Sequence, residues 1–90
     1  MAFLVTRVEV GDYANWKQMF DADPPKAREH ASGYRVLRGV DEPDTVVVEV
    51  EFPTEEAAHE GQRRLMASGV LERFEHVGPT IVEQADAAAL

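Results

Sequence analysis

The three histidines are the side chains of this 90-residue chain best suited to moving a proton near neutral pH. His30 lies at the end of a predicted helical turn, where it acts either as a general base or as a favourable charge near a helix C-terminus. His76 follows Phe74 in a second short helical segment and has the same two interpretations. His59 falls off the inward side of its predicted helix, so we expect it to be exposed. His30 and His76 are therefore the candidate catalytic residues.

Aromatic side chains indicate where a ligand could bind. Trp16 and Phe20 stand four residues apart on the apolar stripe of a predicted helix, and this spacing puts them on one side of it. They either stack on a flat aromatic ligand or serve as core packing, which short helices need. Phe74 could line the same pocket, and Arg28 either binds a ligand carboxylate or phenolate or is solvated. The candidate ligand-binding residues are Trp16, Phe20, Arg28 and Phe74.

Missing residue types and spacings exclude several kinds of site. The chain has no cysteine, so it offers no disulfide, no thiolate nucleophile and no thiolate metal ligand. No two histidines stand four residues apart with a supporting carboxylate, so the sequence predicts no metal site. Gly33, Gly39 and Gly69 are isolated glycines, which is not the pattern of a phosphate-binding loop. We therefore expect no cofactor.

Net charge argues against two classes of partner. Seventeen acidic and nine basic residues give a net charge of −8, which repels phosphate backbones and anionic lipid, so we expect no nucleic acid and no membrane partner. No segment approaches the roughly 20 apolar residues that span a bilayer. The first five residues lack the basic region of a secretory signal, so the expected location is the cytoplasm.

Alternating and helical patterns divide the chain into strands and helices with short connections. Asp12 and Thr54 are suitable N-caps for the two helices, and Gly33 is expected to cap the turn before the second strand. Gly78-Pro79 is expected to interrupt regular secondary structure before the last strand. The predicted elements are a strand over 3–10, a helix from 13 that ends or kinks at the prolines 24 and 25, a further helical turn over 26–31, strands over 34–40 and 45–52, a helix from 55 to about 67, one or two helical turns over 70–76 and a strand over 80–84.

This order predicts an α+β fold of ferredoxin-like βαββαβ type with an antiparallel four-stranded sheet. Its single domain covers residues 1–85, and residues 86–90 are expected to form a flexible tail. Both helices are crossovers on one face of the sheet, which Thr6, Val8, Val10, Val46, Val48 and Val50 are expected to face. The opposite face, here called the open face, is expected to carry Arg7, Glu9, Thr45, Val47, Glu49, Glu51 and Glu83.

The open face has two interpretations. Opposed arginine and glutamate side chains could pair within one chain or between two chains whose sheets meet, or the face is simply solvated. A chain this short buries only roughly 60 to 65% of its extended surface, so it gains from apolar area that a second copy covers. A homodimer is therefore the expected assembly.

Four stretches of the chain carry a family resemblance: DYANWKQMFD at 12–21, RVLRGVDEPD at 35–44, the strand 46–52 and Gly78-Pro79-Thr80. With these stretches the chain resembles the dimeric α+β barrel superfamily, in the branch of small actinobacterial proteins related to antibiotic biosynthesis monooxygenases, and the match covers nearly the whole chain. The resemblance implies two ferredoxin-like subunits that face each other across their sheets as a closed homodimeric barrel. It also implies a pocket in each subunit between the sheet and the helices.

The resemblance leaves the activity open. The superfamily includes cofactor-free oxygenases of polyketide aromatics, haem-degrading enzymes, lactone isomerases, relatives of chlorite dismutase and members with no assigned activity, and fold alone does not choose among them. Haem-degrading members pair an asparagine on the first strand with a later tryptophan and histidine. Here the first strand has no asparagine and the only tryptophan is Trp16 on the first helix, which argues against haem degradation.

Three hypotheses follow for the function. The chain is a cofactor-independent monooxygenase or isomerase that acts on a small aromatic or polyketide-like compound, with His30 or His76 moving a proton. Alternatively, it is a non-catalytic homodimeric barrel that binds a hydrophobic ligand or serves as an accessory or stress-response protein. In the third, side chains fill the pocket and nothing binds.

Overall fold

The chain folds in the order strand, helix, strand, strand, helix, strand in a computed structural model that describes residues 1–24 and 26–90. The elements are β1 (Ala2–Glu9), α1 (Tyr13–Ala22), β2 (Gly33–Arg38), β3 (Thr45–Phe52), α2 (Glu55–Ser68), a short 3-10 helix (Val70–Arg73) and β4 (His76–Glu83). The predicted ferredoxin-like βαββαβ order is therefore confirmed. Within the described residues, no helix combines the length and the apolar character needed to cross a membrane.

One antiparallel sheet joins the four strands in the order β2-β3-β1-β4. β1 and β3 form its centre, and their buried side chains alternate with less buried ones, as expected for strands with one covered face. The covered face carries Ala2, Leu4, Thr6, Val8, Val46, Val48, Val50 and Phe52, all less than a tenth exposed. The prediction that Thr6, Val8, Val46, Val48 and Val50 face the core is confirmed, and Val10 just beyond β1 is also buried.

Both helices begin at the predicted N-caps. The Asp12 carboxylate accepts a hydrogen bond from the Asn15 amide at 3.2 Å, and the Thr54 hydroxyl accepts one from the Ala57 amide at 3.1 Å. Each cap satisfies an amide that has no partner inside its helix, a contribution of about 1 kcal/mol. The sequence therefore sets the direction in which each helix leaves the sheet edge.

The two helices lie at different heights above the sheet. The α2 backbone comes close to β1, β3 and β4, whereas the α1 backbone stands off and reaches the core through Trp16 and other long side chains. Gly61 explains the close approach of α2, because a Cβ there would lie 2.7 Å from the Phe52 Cζ atom and 2.7 Å from the Ala27 carbonyl oxygen. The gap beneath α1 is where the cavity described below lies.

The last strand differs most from the prediction. β4 begins at His76 rather than at residue 80, and it runs through Gly78-Pro79, which was predicted to be a break. A bulge at these two residues shifts the pairing with β1, and β4 is an edge strand, where a residue without an amide donor is tolerated. The bulge also explains why Glu83 was wrongly placed on the open face: it pairs with Ala2, on the covered side.

Smaller differences lie between α1 and β2. Residues 26–31 form hydrogen-bonded turns instead of a helical turn, and Gly33 is the first residue of β2 instead of a C-cap. The C-cap of α1 is Asp23, which adopts the left-handed conformation with φ of 45°. The helix does end before the prolines, as predicted, although Pro25 lies outside the described residues. β2 ends at Arg38, two residues early, and the helical turns predicted within 70–76 are limited to the 3-10 helix at 70–73.

Candidate functional site

A cavity of about 80 Å³ lies between α1 and the covered face of the sheet. Its walls are mostly apolar side chains from β1, β3, α1, α2 and the 3-10 helix. They include Leu4, Val8, Met19, Val48, Leu65 and Leu71. Three polar side chains also line it, those of Thr6, Asp23 and Arg28. Because exposed Pro24 belongs to the lining, the cavity reaches the surface at the C-terminal end of α1.

Trp16 and Phe20 form the aromatic wall of this cavity. Their ring centroids lie 5.1 Å apart and the ring planes differ by 24°, so the two rings are stacked. Trp16 is only 5% exposed, while Phe20 continues toward the surface and meets the ring of Tyr34 edge-on at 5.2 Å. The predicted pair therefore lies together, and it packs on the core as well as facing the cavity. An aromatic molecule in the cavity would find preformed aromatic groups here to pack against.

Arg28 lies at the mouth of the cavity and is held in place by its neighbours. Its guanidinium carbon is 3.7 Å from the centroid of the Phe20 ring and 5.0 Å from that of Tyr34. It donates a hydrogen bond to the Phe20 carbonyl oxygen, and its Nε lies 3.8 Å from the Asp23 Oδ1 atom. The Asp23 carboxylate in turn accepts from the amides of Ala27 and Arg28, each at 3.1 Å. These contacts fix a positive charge beside the aromatic wall.

Arg64 on α2 holds the turns between Asp23 and β2 from the other side. Its Nη1 lies 2.5 Å from the Glu29 Oε2 atom and 3.2 Å from the Lys26 carbonyl oxygen, and its Nε donates to Glu60 at 3.0 Å. The hydrogen bond and charge of Arg64 hold the pKa of Glu29 below its usual value. Hydrogen bonds from Arg63 and Arg64 do the same to the pKa of Glu60, and both carboxylates raise the pKa of Arg64.

The predicted catalytic histidines do not line this cavity. His30 is exposed and lies two residues beyond Arg28, on the outer side of the turns. His76 is exposed at the start of β4, where its Nδ1 lies 3.0 Å from the Phe74 carbonyl oxygen. His59 is exposed on α2, as predicted. The cavity thus combines an aromatic wall with a fixed cation, and neither His30 nor His76 lies at its wall.

Phe74 and His76 belong to a second, open cleft of about 760 Å³ near the end of β1 where α1 begins. The other charged side chains that line it are Arg7, Glu9, Asp44 and Glu75. This cleft is larger but shallow and polar, whereas ligand sites are usually concave and mostly apolar. The structure therefore separates Phe74 and His76 from Trp16, Phe20 and Arg28. In the part of the chain that the structure describes, histidine and acidic side chains do not gather in threes that could hold a metal ion.

The open face of the sheet presents rows of side chains set by strand register. One row runs Leu37, Val47, Arg7 and Val77, and the next runs Arg35, Glu49, Val5 and Thr80. Arg35 and Glu49 form an ion pair across β2 and β3. Leu37 and Val82 are each 42% exposed, and Val77 is 61% exposed. The face therefore mixes uncovered apolar side chains with charged ones, of which Arg35 and Glu49 neutralise each other.

Sequence reasoning missed several cavity residues, among them Met19, Leu65 and Leu71. Sequence reasoning did not predict that these residues line a cavity. Helical spacing indicates which side of a helix is covered, but it does not indicate whether the space under that side is filled by side chains. Thr6 was predicted to face the core, and nothing in the alternation of β1 distinguishes a packed threonine from one that borders a cavity.

Two solved structures have the same fold as this chain. One is the crystal structure of a proposed antibiotic biosynthesis monooxygenase from Deinococcus radiodurans, which aligns over 100% of this chain and 98% of its own, with a TM-score of 0.62 and 14% identity. The other is Rv0793 from Mycobacterium tuberculosis, which aligns over 99% of this chain and 100% of its own, also with a TM-score of 0.62 and 14% identity.

The chain matches no protein-family model and no curated protein. At 14% identity, similarity to a solved structure shows the fold and not the activity. The resemblance to the antibiotic biosynthesis monooxygenase-like proteins is therefore confirmed at the level of the subunit fold.

Proposed function

We propose that this protein binds a small aromatic molecule in the cavity under α1 and acts on it as a cofactor-independent monooxygenase or isomerase. The observation that carries the proposal is the stacked pair Trp16 and Phe20, which gives the cavity an aromatic wall with the Arg28 cation beside it. An aromatic ring can pack edge-to-face against that wall, and the guanidinium can stabilise a phenolate or enolate oxygen. One neighbour in fold, from Deinococcus radiodurans, is itself described as a proposed antibiotic biosynthesis monooxygenase.

An oxygenation without a cofactor is balanced when the substrate supplies all the electrons. A methylene group activated by an adjacent aromatic ring loses two hydrogens and gains one oxygen atom, while the second oxygen atom of O₂ leaves as water. The first step removes a proton from that carbon, so the anion that forms needs a nearby positive charge. Arg28 is the candidate for that role. Of the two histidines predicted to accept the proton, His30 lies two residues from Arg28, whereas His76 lies at the other cleft.

A specific observation favours the second candidate function, binding without catalysis. Both histidines are exposed, and neither lines the cavity that holds the aromatic wall. Among the residues that line the cavity, Asp23 is the only carboxylate, and it already accepts two backbone amides. A barrel that only stores or carries a hydrophobic ligand would need no base at this position.

The assembly that we propose is a homodimer closed across the two open faces, with residues 1–85 as the barrel domain and residues 86–90 as a tail. Exposed Leu37, Val77 and Val82 give that face apolar area to bury, and Arg35 and Glu49 neutralise each other's charge there. Phe74 and His76 border the cleft near that face, so a second subunit could complete a site around them. A cytoplasmic location completes the proposal.

Binding and turnover are tested separately. Candidate hydroxylated aromatics are first screened for binding by the shift of cavity resonances in NMR spectra, and those that bind are incubated with the protein in air and under nitrogen. An oxygenase consumes O₂ and forms product only in air, an isomerase forms product in both, and a binding protein forms none. His30→Ala should abolish turnover and leave affinity nearly unchanged if the enzyme hypothesis is correct. Absence of binding by every small aromatic tested would refute the proposed binding of an aromatic molecule, and with it the enzyme hypothesis.

A further inference from the structure

Thr6 is the one hydroxyl on the wall of the cavity under α1. The inward side chains of β1 are Ala2, Leu4, Thr6 and Val8, so a polar group interrupts an otherwise apolar row. Thr6 is 6% exposed, and its hydroxyl has no hydrogen-bond partner among the described residues. Valine has nearly the same shape and would fill the position without placing a polar atom in the core. The hydroxyl therefore needs an explanation beyond packing.

The position of the Thr6 oxygen follows from its surroundings. Among the described residues, no fully enclosed side-chain nitrogen or oxygen lacks a partner. An unpartnered Oγ1 on a buried residue must therefore keep contact with open volume, and the cavity that Thr6 lines is that volume. On the β4 side, the bulge at Gly78-Pro79 interrupts the strand pairing opposite Thr6.

We propose that Thr6 is the specificity-determining residue of this cavity, and that it selects an aromatic ligand with a hydroxyl or carbonyl oxygen on the ring. The proposal rests on the proposed function, since it presumes that the cavity binds an aromatic molecule. A threonine hydroxyl both donates and accepts, so it pairs with either kind of oxygen. A site with one buried polar group rejects the analogue that lacks the matching group, because the site's own group is then left unpaired.

Size limits the ligand to about one ring. An engineered cavity of about 150 Å³ in another protein binds benzene, and the present cavity is about 80 Å³. A single ring therefore requires some side chains to move aside. The helix-side residues Met19, Leu65 and Leu71 are only half-buried, and methionine in particular adapts its shape readily. The strand-side residues Thr6 and Val48 are buried and fixed by the sheet, so the hydroxyl keeps its position while the opposite wall adjusts.

Phenol and toluene test this proposal, because they differ only by a hydroxyl in place of a methyl group. The matched change in the protein is Thr6→Val, which makes the same exchange. Dissociation constants are measured for both ligands with the wild type, Thr6→Val and Thr6→Ser, by NMR titration. We expect Thr6→Val to weaken phenol binding roughly tenfold and to leave toluene binding unchanged or tighter. Thr6→Ser should keep the preference for phenol.

Two controls separate the possible failures. Thr80→Val makes the same exchange on the open face and should change neither affinity, and thermal unfolding of Thr6→Val should show a midpoint no lower than the wild type. If both ligands bind the wild type and the preference for phenol survives in Thr6→Val, then Thr6 is not the determinant and the proposed function stands. Equal weakening of both ligands by Thr6→Val also overturns the proposal. If neither ligand binds the wild type, the proposed function and the role of Thr6 fail together.

Discussion

The indole ring of Trp16 stacks on the phenyl ring of Phe20, with centroids 5.1 Å apart. The guanidinium of Arg28 lies over the same phenyl ring at 3.7 Å, so three flat groups from α1 and the following turns form one stack. Trp16 is buried and Arg28 is at the cavity mouth, so the stack connects the core to the surface. This stack is both a structural support for α1 and the wall of the candidate site.

Replacing Trp16 tests how much that stack contributes to the stability of the fold. We expect Trp16→Ala to lower the free energy of unfolding by about 3–5 kcal/mol, as for other large aromatic side chains removed from a core. Trp16→Phe should lower it by clearly less, because a smaller ring still covers part of the wall. Urea unfolding followed by circular dichroism measures both. Equal stability of Trp16→Ala and the wild type would mean that α1 does not depend on this contact.

Gly61, the glycine of α2, is expected to tolerate a side chain poorly. A methyl group there would meet the Phe52 ring and the Ala27 carbonyl oxygen, each at 2.7 Å, so we expect Gly61→Ala to destabilise the fold by about 1–3 kcal/mol despite the better helix propensity of alanine. Gly11→Ala is the matched control, since a Cβ there has no neighbour within 4 Å. A stabilised Gly61→Ala variant in thermal unfolding would show that α2 can move outward at no cost.

The proposed dimer makes a prediction about the open face. Light scattering should give a mass of twice 10.0 kDa for the wild type at micromolar concentration. Leu37→Lys places a charge on the open face and should shift the mass toward 10.0 kDa. Met66→Lys, on α2, changes an even more exposed apolar side chain and should leave the dimer intact. A wild type of 10.0 kDa under these conditions would contradict the barrel assembly.

The Arg64 ion pairs predict a pH dependence of stability. The pKa of Glu29 is lowered from 4.5 by the hydrogen bond and charge of Arg64, and that of Glu60 is lowered by Arg63 and Arg64. A carboxyl with a lowered folded-state pKa stabilises the fold fully above its unfolded value, and this contribution is lost as the pH falls through the folded-state pKa. The stability difference between the wild type and Arg64→Gln should therefore be present near neutral pH and shrink below about pH 4.5.

Urea unfolding of both proteins across that range checks the prediction. The pairs are exposed, so the effect should be small and should weaken further in high salt. Arg73→Gln removes the same charge from the exposed 3-10 helix and serves as the control. A difference between Arg64→Gln and the wild type that stays constant below pH 4.5 would show that Arg64 acts through packing instead of through its carboxylate partners.

The fold was largely predictable because its signals are local. Alternation in β1 and β3 identified the covered face, and the two N-caps Asp12 and Thr54 fixed the helix starts. The start of β4 was not predictable, since Gly78-Pro79 is a typical turn signal and only pairing with β1 makes it part of an edge strand. The same bulge reversed the side on which Glu83 was expected.

The candidate site was predictable only in part, for a physical reason. Helical spacing predicted that Trp16 and Phe20 lie together, and Arg28, which was also predicted as a ligand-binding residue, lies over the Phe20 ring. Phe74 and His76 were expected at the same pocket, but the 3-10 helix ends before Phe74, and the chain there turns into β4 toward the other cleft. Whether the space under α1 is filled or forms a cavity depends on the distance between α1 and the sheet. The residue pattern of α1 does not predict that distance.

The most direct test of the candidate site uses Trp16 itself, because it is the only tryptophan in the chain. Its emission, excited at the red edge of the indole band where phenol does not absorb, is followed as phenol is added. The cavity site predicts a change in emission that saturates at one phenol per chain and is absent in a folded Leu65→Phe variant, whose larger side chain fills the cavity. A change that grows linearly without saturating, or one that is identical in Leu65→Phe, would contradict the binding of aromatic ligands in the cavity under α1.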